Sequence, residues 1–134
     1  MKTAVISVHT GSSRGVFDLT NKAREFVRDQ SDGLLNVFVP HATAGVAIFE
    51  TGAGSDSDFM SIIDDLIPRS DRYQHRHGSP GHGADHVLPG IVAPSVVVPV
   101  VAGSLALGTW QSILLIDPNP DNPDREIRFS FLTG

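Results

Sequence analysis

The sequence predicts an α+β fold, a mostly antiparallel β-sandwich of about seven strands with two helices. Apolar residues recur at helical spacing in only two segments, while the other apolar runs are short and separated by glycine and proline. Several of these runs are joined by short turns, which favours an antiparallel sandwich over a doubly wound parallel sheet. The length of 134 residues is typical of one domain, so we expect residues 1–134 to fold together.

The strands are predicted from β-branched and aromatic runs that are bounded by turn residues. The first two strands, joined around Gly11, are expected to form a short hairpin. The proline-rich turn from Asp117 to Asp124 precedes a last strand in which Ile127, Phe129 and Phe131 alternate with polar residues. In order, the strands are expected at Thr3–His9, Gly15–Phe17, Leu34–Val39, Ala44–Phe49, Ser95–Val101, Leu105–Ile116 and from Ile127 onward.

The first helix is predicted between two residues with capping chemistry. Asp18 or Thr20 is suited to its N-terminus, because a short polar side chain can accept a hydrogen bond from the first turn. Gly33 is expected to end it in the left-handed conformation. The residues that fall on the buried face of this helix are Ala23, Phe26 and Val27.

The second helix is predicted from Ser55, which together with Asp58 resembles a capping pair. Pro68 is expected to stop it. Its apolar positions follow the i, i+3, i+4, i+7 spacing of one helix face. These positions are Phe59, Ile62, Ile63 and Leu66.

The stretch from Val87 to Ile116 carries no charged residue and is long enough to suggest a membrane span. Prolines and glycines divide it into pieces of strand length, and its adjacent valines suit a pleated sheet better than a helix. We therefore expect two buried strands here and no membrane segment.

Composition excludes several classes of protein. The net charge is -5 and the ten Lys and Arg residues are scattered, which argues against a nucleic-acid groove. The absence of cysteine excludes disulfides, thiolate zinc sites and a cysteine nucleophile. The apolar run at the N-terminus is too short for a signal peptide. We expect a soluble, cytoplasmic protein.

Histidines are the residues best suited to form a polar site in this chain. Neutral imidazole binds transition metals, and three such ligands leave a position open for water or substrate. His41 follows Pro40 at the mouth of a predicted buried strand, where a side chain is held firmly. The alternative is that His41 is only a hydrogen-bonded residue at a strand end.

The other candidate histidines lie in a glycine-rich loop. His75 and His77 alternate as on a strand, so at most one of them is expected to join a given site. His82 and His86 have the i, i+4 spacing of one helix face, but Gly83 argues against a helix there. The alternative for this whole segment is a solvated connection without a site.

Four further residues are candidates for the same chemistry. Glu50 ends an apolar strand, where partial burial would raise the pKa of its carboxyl and suit it to acid–base work; capping the next helix is the alternative. Asp58 falls in a first helical turn, where a carboxylate also stabilises the helix dipole. Trp110 is expected in the core or an interface, and Gln111, inside an apolar run, must find a hydrogen-bond partner if it is buried.

Three segments together resemble one known family. Ser95 to Gln111 follows the order Ser-x-x-x-Pro-Val, two residues, Gly, then Leu-x-x-Gly-Thr-Trp-Gln. The segment from His41 to Glu50 is similar to a His-Thr-Ser-Ala strand that leads into Asn-Glu-Asn. A Tyr-x-His motif ends at His75, and a later histidine is His86. These motifs resemble those of the YjbQ-type proteins, often labelled secondary thiamine-phosphate synthases.

The resemblance implies a homotrimer with sites at or near the subunit interfaces, a divalent metal such as zinc, and a small phosphorylated molecule as substrate. It assigns His41, His75 and His86 to a metal or anion site, Glu50 and Asp58 to catalysis, and Thr43, Trp110 and Gln111 to substrate binding. Asp58 matches the family only if one residue has been lost after Glu50. His77 and His82 match no fixed family position. Phe49 and Thr51 replace two asparagines, which makes the expected pocket more apolar than usual.

Two functions of different class follow. The first is a metal-assisted transferase or hydrolase of a small phosphorylated molecule, similar to the thiamine-phosphate synthases, which join a thiazole phosphate to a pyrimidine pyrophosphate. In that reaction the metal would neutralise the leaving pyrophosphate. The second is a non-catalytic, trimeric protein that binds a metal or an anion in the same pocket.

Overall fold

The predicted α+β sandwich is present in the computed structural model, which describes residues 1–134. Two antiparallel sheets face one another, and helices flank them. The strands are β1 (Lys2–His9), β2 (Gly15–Asp18), β3 (Gly33–Phe38), β4 (Gly45–Phe49), β5 (Ser95–Val101), β6 (Ser104–Leu105), β7 (Ser112–Asp117) and β8 (Asp124–Thr133). The helices are α1 (Thr20–Val27), α2 (Ser55–Leu66) and α3 (His82–Val87), followed by a 3-10 turn at Leu88–Gly90.

The strand pairing is antiparallel throughout. The larger sheet has the order β1-β8-β3-β5-β6 and the smaller sheet the order β2-β7-β4. The predicted hairpin between the first two strands is wrong: β1 pairs with β8, and β2 pairs with β7 in the other sheet. The turn after β1 carries the chain from one sheet to the other. There the N–H groups of Thr10 and Gly11 donate to the Pro123 carbonyl.

Two apolar layers lie on the two faces of the smaller sheet. Between the sheets, Leu35, Phe129 and Ile113 belong to a core of 16 buried residues. On the opposite face, Leu114 and Ile116 of β7 pack against a second cluster that includes α2 and the 3-10 turn. Strand β7 is therefore buried on both faces, which explains why its sequence is apolar without alternation.

Helix α1 has the predicted buried face, since Ala23, Phe26 and Val27 are all buried. Its start is also supported locally, because Asp18 Oδ1 accepts the N–H of Thr20 at 2.8 Å. The prediction for Gly33 is wrong, because this residue begins β3 and is not a left-handed cap. A Cβ at position 33 would lie 2.2 Å from the Leu132 carbonyl oxygen, so close strand packing is the reason for glycine there.

Helix α2 begins and ends close to the predicted positions, but its contacts differ. Its N-cap is Gly54 and no side chain caps it, so the expected capping pair is absent. Of the apolar stripe only Ile63 is buried, whereas Ile62 and Leu66 are 61% and 60% exposed. Ile63 joins the second apolar cluster, and Phe59 and Met60 pack against that cluster while partly buried.

Two regions of the second half differ from the predictions in ways that affect the site. A helix, α3, forms at His82–Val87 although it contains Gly83. The strand predicted from Leu105 to Ile116 is divided into β6 and β7 by a turn that contains Trp110. None of the helices has both the length and the apolar composition needed to cross a membrane.

Candidate metal centre

Three histidines meet beside α3. His82 and His86 lie one turn apart on the helix, and His75 comes from the preceding loop. One ring nitrogen of each lies within 4.8 Å of the others. The Nε2 atoms of His82 and His86 are 2.9 Å apart, and the His75 ring centroid is 4.1 Å from that of His86. We call His75, His82 and His86 the histidine cluster.

Close packing at Gly83 brings His75 to the helix. A Cβ at position 83 would lie 2.6 Å from the His75 carbonyl oxygen and 2.7 Å from the Tyr73 Cβ. The loop is further held by the Tyr73 hydroxyl, which donates to the Pro68 carbonyl at 2.7 Å. Glycine therefore permits the close approach of loop and helix on which the cluster depends.

A buried polar network connects α3 to neighbouring loops. Asp85, which is 1% exposed, pairs with Arg69 and accepts a hydrogen bond from Asn119 Nδ2 at 3.0 Å. Arg69 also donates to the carbonyls of Pro118 and Pro80. Burial raises the pKa of the Asp85 carboxyl, and its bonds to Arg69 oppose that effect. The network fixes α3 against the turn that follows β7.

His82 is also contacted from that turn. Its Nδ1 atom lies 3.2 Å from Asp121 Oδ2 and 3.0 Å from Asn119 Nδ2. Asp121 Oδ2 in turn accepts the hydroxyl of Ser79 at 2.8 Å and the backbone N–H of Ser79 at 3.2 Å. The Ser79 hydroxyl is the main reason why the pKa of the Asp121 carboxyl is lowered. Outer-shell partners of this kind orient imidazole ligands in metal sites.

The surroundings of two members of the cluster, His75 and His86, favour neutral imidazole. Burial lowers the pKa of His75, and the rings of His77 and His82 lower it further. Burial likewise lowers the pKa of His86, followed by the effect of the other three rings. The Nε2 atom of His75 is buried and has no hydrogen-bond partner. A buried orphan nitrogen beside two other imidazoles suits a divalent cation, and zinc in particular, because zinc takes neutral histidine nitrogen as a ligand.

A cavity of about 550 Å³ adjoins the cluster. No large apolar side chain lines it; the lining includes Arg69, Arg76 and His77, together with Asp71 and Pro80. Arg76 uses its Nε to donate to the Tyr73 carbonyl at 3.0 Å, so its two terminal nitrogens remain available to a ligand. Positive charge at the edge of a polar cavity favours an anionic ligand.

His41 and Thr43 do not belong to the histidine cluster. His41 Nε2 accepts the backbone N–H of Glu126 at 2.9 Å, so that nitrogen already has a partner. Burial lowers the pKa of His41, and the guanidinium of Arg125 adds to that effect. The Thr43 hydroxyl accepts a hydrogen bond from Arg125 at 2.9 Å and is buried. Both residues hold the end of β8 in place.

Glu50 and Gln111 lie at the opposite end of the smaller sheet from the cluster. Phe49 pairs with Ser112 at the start of β7, whereas Asn119, which contacts His82, follows the end of that strand. At about 3.4 Å per residue, the strand alone separates the two ends by about 17 Å. Gln111 is exposed, and its Oε1 accepts the N–H of Gly108 at 2.8 Å.

The remaining two candidates are exposed. Trp110, which was expected in the core or an interface, is 73% exposed in the single chain. Asp58 lies in the first turn of α2, where it faces solvent and stabilises the helix N-terminus. Within one subunit, neither residue is part of the histidine cluster.

Sequence reasoning missed His82, Asn119 and Asp121. The i, i+4 spacing of His82 and His86 is the signal that indicates them, and the prediction that Gly83 argues against a helix there is wrong. No local sequence pattern indicates Asn119 or Asp121, because these residues lie 37 and 39 positions further along the chain than His82.

Comparison with known proteins places these features in one family. The family model described as "UPF0047 protein YjbQ-like" matches residues 4–134. The UPF0047 protein Rv2556c of Mycobacterium tuberculosis is 60% identical over 134 residues, which cover 100% of each chain. The structure of hypothetical protein APE1520 from Aeropyrum pernix K1 is 33% identical, with a TM-score of 0.89 and 100% coverage of both chains. An uncharacterised YjbQ/UPF0047 protein from Clostridium acetobutylicum is 28% identical, with a TM-score of 0.85 over 96% of this chain and 99% of that one.

The lowered pKa values predict that metal-free protein loses stability in mild acid. Below pH 6.5, the ordinary pKa of histidine, the unfolded chain takes up protons that His75 and His86 resist in the folded state. The free energy of unfolding is therefore highest above that pH and decreases as the pH falls through it. We expect thermal unfolding between pH 7.5 and 5.5, with EDTA present, to show this decrease.

The variant His75→Gln/His86→Gln should lose less stability over the same pH range, because it lacks the two groups. Gln74→Ala changes the same loop without removing a titratable group and should keep the wild-type pH dependence. An equal decrease in the double variant and the wild type would contradict the assignment.

Proposed function

The chain belongs to the YjbQ-like UPF0047 family, and we propose that it is a metal-dependent enzyme acting on a small phosphorylated molecule. In this proposal His75, His82 and His86 bind a divalent cation, with zinc as the expected ion. This ligand set differs from the one that the sequence resemblance implied, because His82 replaces His41.

The observation that carries the proposal is the geometry of the histidine cluster. Three imidazole nitrogens, one from each ring, lie within 4.8 Å of one another, and the His75 ring has a buried Nε2 without a partner. Three histidine ligands leave a fourth zinc position for water or substrate, as in catalytic zinc sites. When bound, the ion would polarise a phosphoryl oxygen or lower the pKa of a bound water.

The adjoining cavity supports an anionic, phosphorylated substrate. Arg76 at its edge can contact a phosphate, and the polar lining matches a hydrated, charged group better than an apolar one. Transfer or hydrolysis at a phosphate ester or diphosphate fits this arrangement, and the thiamine-phosphate synthase reaction is one member of that class. Zero cysteines are compatible with the cytoplasmic location that we assume.

Glu50 can serve as the proton carrier of this enzyme only from a second subunit. Within one chain, the length of β7 separates it from the cluster by about 17 Å. In a cyclic trimer, head-to-tail contacts bring different surfaces of neighbouring subunits together. Glu50, Asp58, Trp110 and Gln111 would then meet the cluster of the next chain, whereas Thr43 stays in its structural role beside Arg125.

A homotrimer is part of the proposal, and the outer face of the larger sheet supports self-association. Of twelve exposed large hydrophobic residues, six are on this sheet, so the apolar surface is concentrated there. Polar residues such as Arg128 and Asn36 lie between some of these positions, but the concentration of large exposed apolar side chains on one sheet favours an interface there. The six residues, which we call the outer sheet face, are Val5, Leu34, Phe38, Val97, Val101 and Leu132.

We expect about one zinc per chain after incubation with zinc and removal of the excess, since the cluster forms a single site. His82→Ala and His75→Ala/His86→Ala should each lose the ion, whereas His41→Ala should retain it. Metal analysis by plasma mass spectrometry measures all four proteins. Retention of zinc by His82→Ala together with its loss from His41→Ala would restore the ligand set implied by the family resemblance.

Charge on the outer sheet face should disrupt the trimer. Leu34 and Leu132 are register partners on neighbouring strands, so Leu34→Lys/Leu132→Lys places two charges side by side in the apolar surface. Sedimentation velocity should show a trimer for the wild type and the 14.3 kDa monomer for this variant. Ile62→Lys is the matched control, because Ile62 is as exposed as Leu132, 61% against 57%, but lies on α2. A trimer that persists in the double variant would place the interface elsewhere.

Zinc-loaded protein should turn over members of a panel of phosphate monoesters and diphosphates. Glu50→Gln should keep its zinc and lose about 100-fold or more of the turnover, the usual contribution of a proton carrier. Mixed trimers of Glu50→Gln and His75→Ala/His86→Ala chains should regain activity, because some interfaces then combine an intact Glu50 with an intact cluster.

Mixing the two variants without any recovery would contradict a site shared between subunits. Tight binding of phosphate esters with no turnover of any of them would instead support the second function, a trimeric metal- or anion-binding protein. The polar cavity beside the cluster is the observation that favours this alternative, since it suits anion binding even without catalysis.

A further inference from the structure

We infer that Asp121 is a positioning residue that selects the tautomer of His82 required for metal binding. The inference rests on the proposed metal site and extends it to the proline-rich turn after β7, which the sequence analysis treated only as a turn. It also explains how His82, which matches no fixed family position, can serve as a ligand.

The argument begins with the amide of Asn119, whose orientation is fixed by two other contacts. Its Nδ2 donates to Asp85 Oδ2 at 3.0 Å, and its Oδ1 accepts the backbone N–H of Asp121 at 2.8 Å. Asn119 is buried, and its contact with Asp85 is shielded from water. The second hydrogen of Nδ2 is therefore available to His82 Nδ1, 3.0 Å away.

His82 Nδ1 thus faces two partners with opposite requirements. Asn119 offers a hydrogen and needs a lone pair on Nδ1, whereas the Asp121 carboxylate, at 3.2 Å, needs a hydrogen on Nδ1. A neutral imidazole carries only one hydrogen on its two nitrogens. Each partner therefore stabilises a different tautomer of the ring.

The two tautomers differ in their ability to bind a metal. With the lone pair on Nδ1, the hydrogen is on Nε2 and donates to His86 Nε2 at 2.9 Å, which blocks both nitrogens as ligands. With the hydrogen on Nδ1 and bonded to Asp121, the Nε2 lone pair is free on the side that faces His86. A carboxylate that accepts the distal N–H of a metal-bound imidazole fixes the ring and increases its basicity.

The structure holds Asp121 in place for this role. Ser79 donates two hydrogen bonds to Oδ2, the same oxygen that faces His82. The backbone N–H of Asp121 is bonded to Asn119 Oδ1. Asn119 and Asp121 are therefore rigidly coupled, and the ring of His82 can exchange one partner for the other without movement of the backbone.

Zinc titration by calorimetry tests the inference with two substitutions of graded effect. Asp121→Ala removes the acceptor, and we expect the Kd for zinc to increase by about 10- to 100-fold, the usual effect of an outer-shell partner. Asp121→Asn retains a neutral carbonyl acceptor and should give a smaller increase, with the stoichiometry unchanged. Asp65→Asn, which removes an exposed carboxylate from α2, is the control for net charge and should bind as the wild type does.

A readout independent of affinity is the ¹⁵N shift of the two ring nitrogens of His82. In wild-type protein we expect the hydrogen on Nε2 without metal and on Nδ1 after zinc is added. In Asp121→Ala the metal-free spectrum should be unchanged, because Asn119 still holds that tautomer. A structural role for Asp121 alone would alter stability without this change of tautomer.

Three results would overturn the inference, and they separate it from the proposed function. If the wild type binds no zinc, both fail. If the wild type binds zinc and both Asp121 variants bind it equally well, only the role of Asp121 fails. The same holds if the hydrogen of His82 is already on Nδ1 in metal-free protein. Should Asp121→Ala fail to fold, Asp121→Asn and the wild-type spectra still decide the question.

Discussion

The buried carboxylate of Asp117 is the constraint on which the rest of this structure depends. Asp117 ends β7 with 0% exposure, and its two oxygens accept the Nε and Nη2 hydrogens of Arg125, both at 2.8 Å. An unpaired charge at this depth would cost several kcal/mol, so the two side chains must stay together. Since Arg125 belongs to β8 in the larger sheet and Asp117 to the smaller one, this pair ties the two sheets at one end of the sandwich. The Thr43 hydroxyl accepts a further hydrogen bond from Arg125 Nη2.

The histidine cluster is built outward from that pair. Asp117 Oδ1 also accepts the N–H of Asn119 at 3.0 Å. This hydrogen bond fixes the backbone at the beginning of the turn that follows β7. From there Asn119 reaches both Asp85 and His82, and the backbone of Pro118 receives hydrogen bonds from Arg14 and Arg69. Helix α3 has only six residues and could not hold a precise geometry alone. The position of its two histidines is therefore fixed by contacts with the turn after β7. That turn is itself held by the Asp117–Arg125 pair between the two sheets.

This dependence also explains which features the sequence could predict. The buried face of α1 and the alternation along β8 were predicted correctly, because each is a periodic pattern within one element. The hairpin of β1 and β2 was wrong because strand pairing is set by distant partners, β8 and β7, that no local turn reveals. At the site, the family resemblance indicates His75 and His86, whereas His82 matches no fixed family position, and the prediction that Gly83 argues against a helix there is wrong. That glycine reflects the close approach of the His75 carbonyl and the Tyr73 side chain and not a break in the helix.

Packing of so many imidazoles is the strongest physical reason to expect a cation at this place. The rings of His75 and His77 are centred 3.9 Å apart, and four histidines in all lie within 6.3 Å of one another by ring centroids. Protonation of several of them would bring like charges together, and burial further disfavours the charged forms of His75 and His86. A neutral cluster avoids this repulsion but leaves His75 Nε2 without a partner. A divalent cation would satisfy both requirements of the cluster. It binds unprotonated nitrogen, so the rings stay neutral, and it supplies a partner for the buried nitrogen. The same requirement gives the tautomer of His82 its importance, since a cation cannot use a ring nitrogen that still carries its hydrogen.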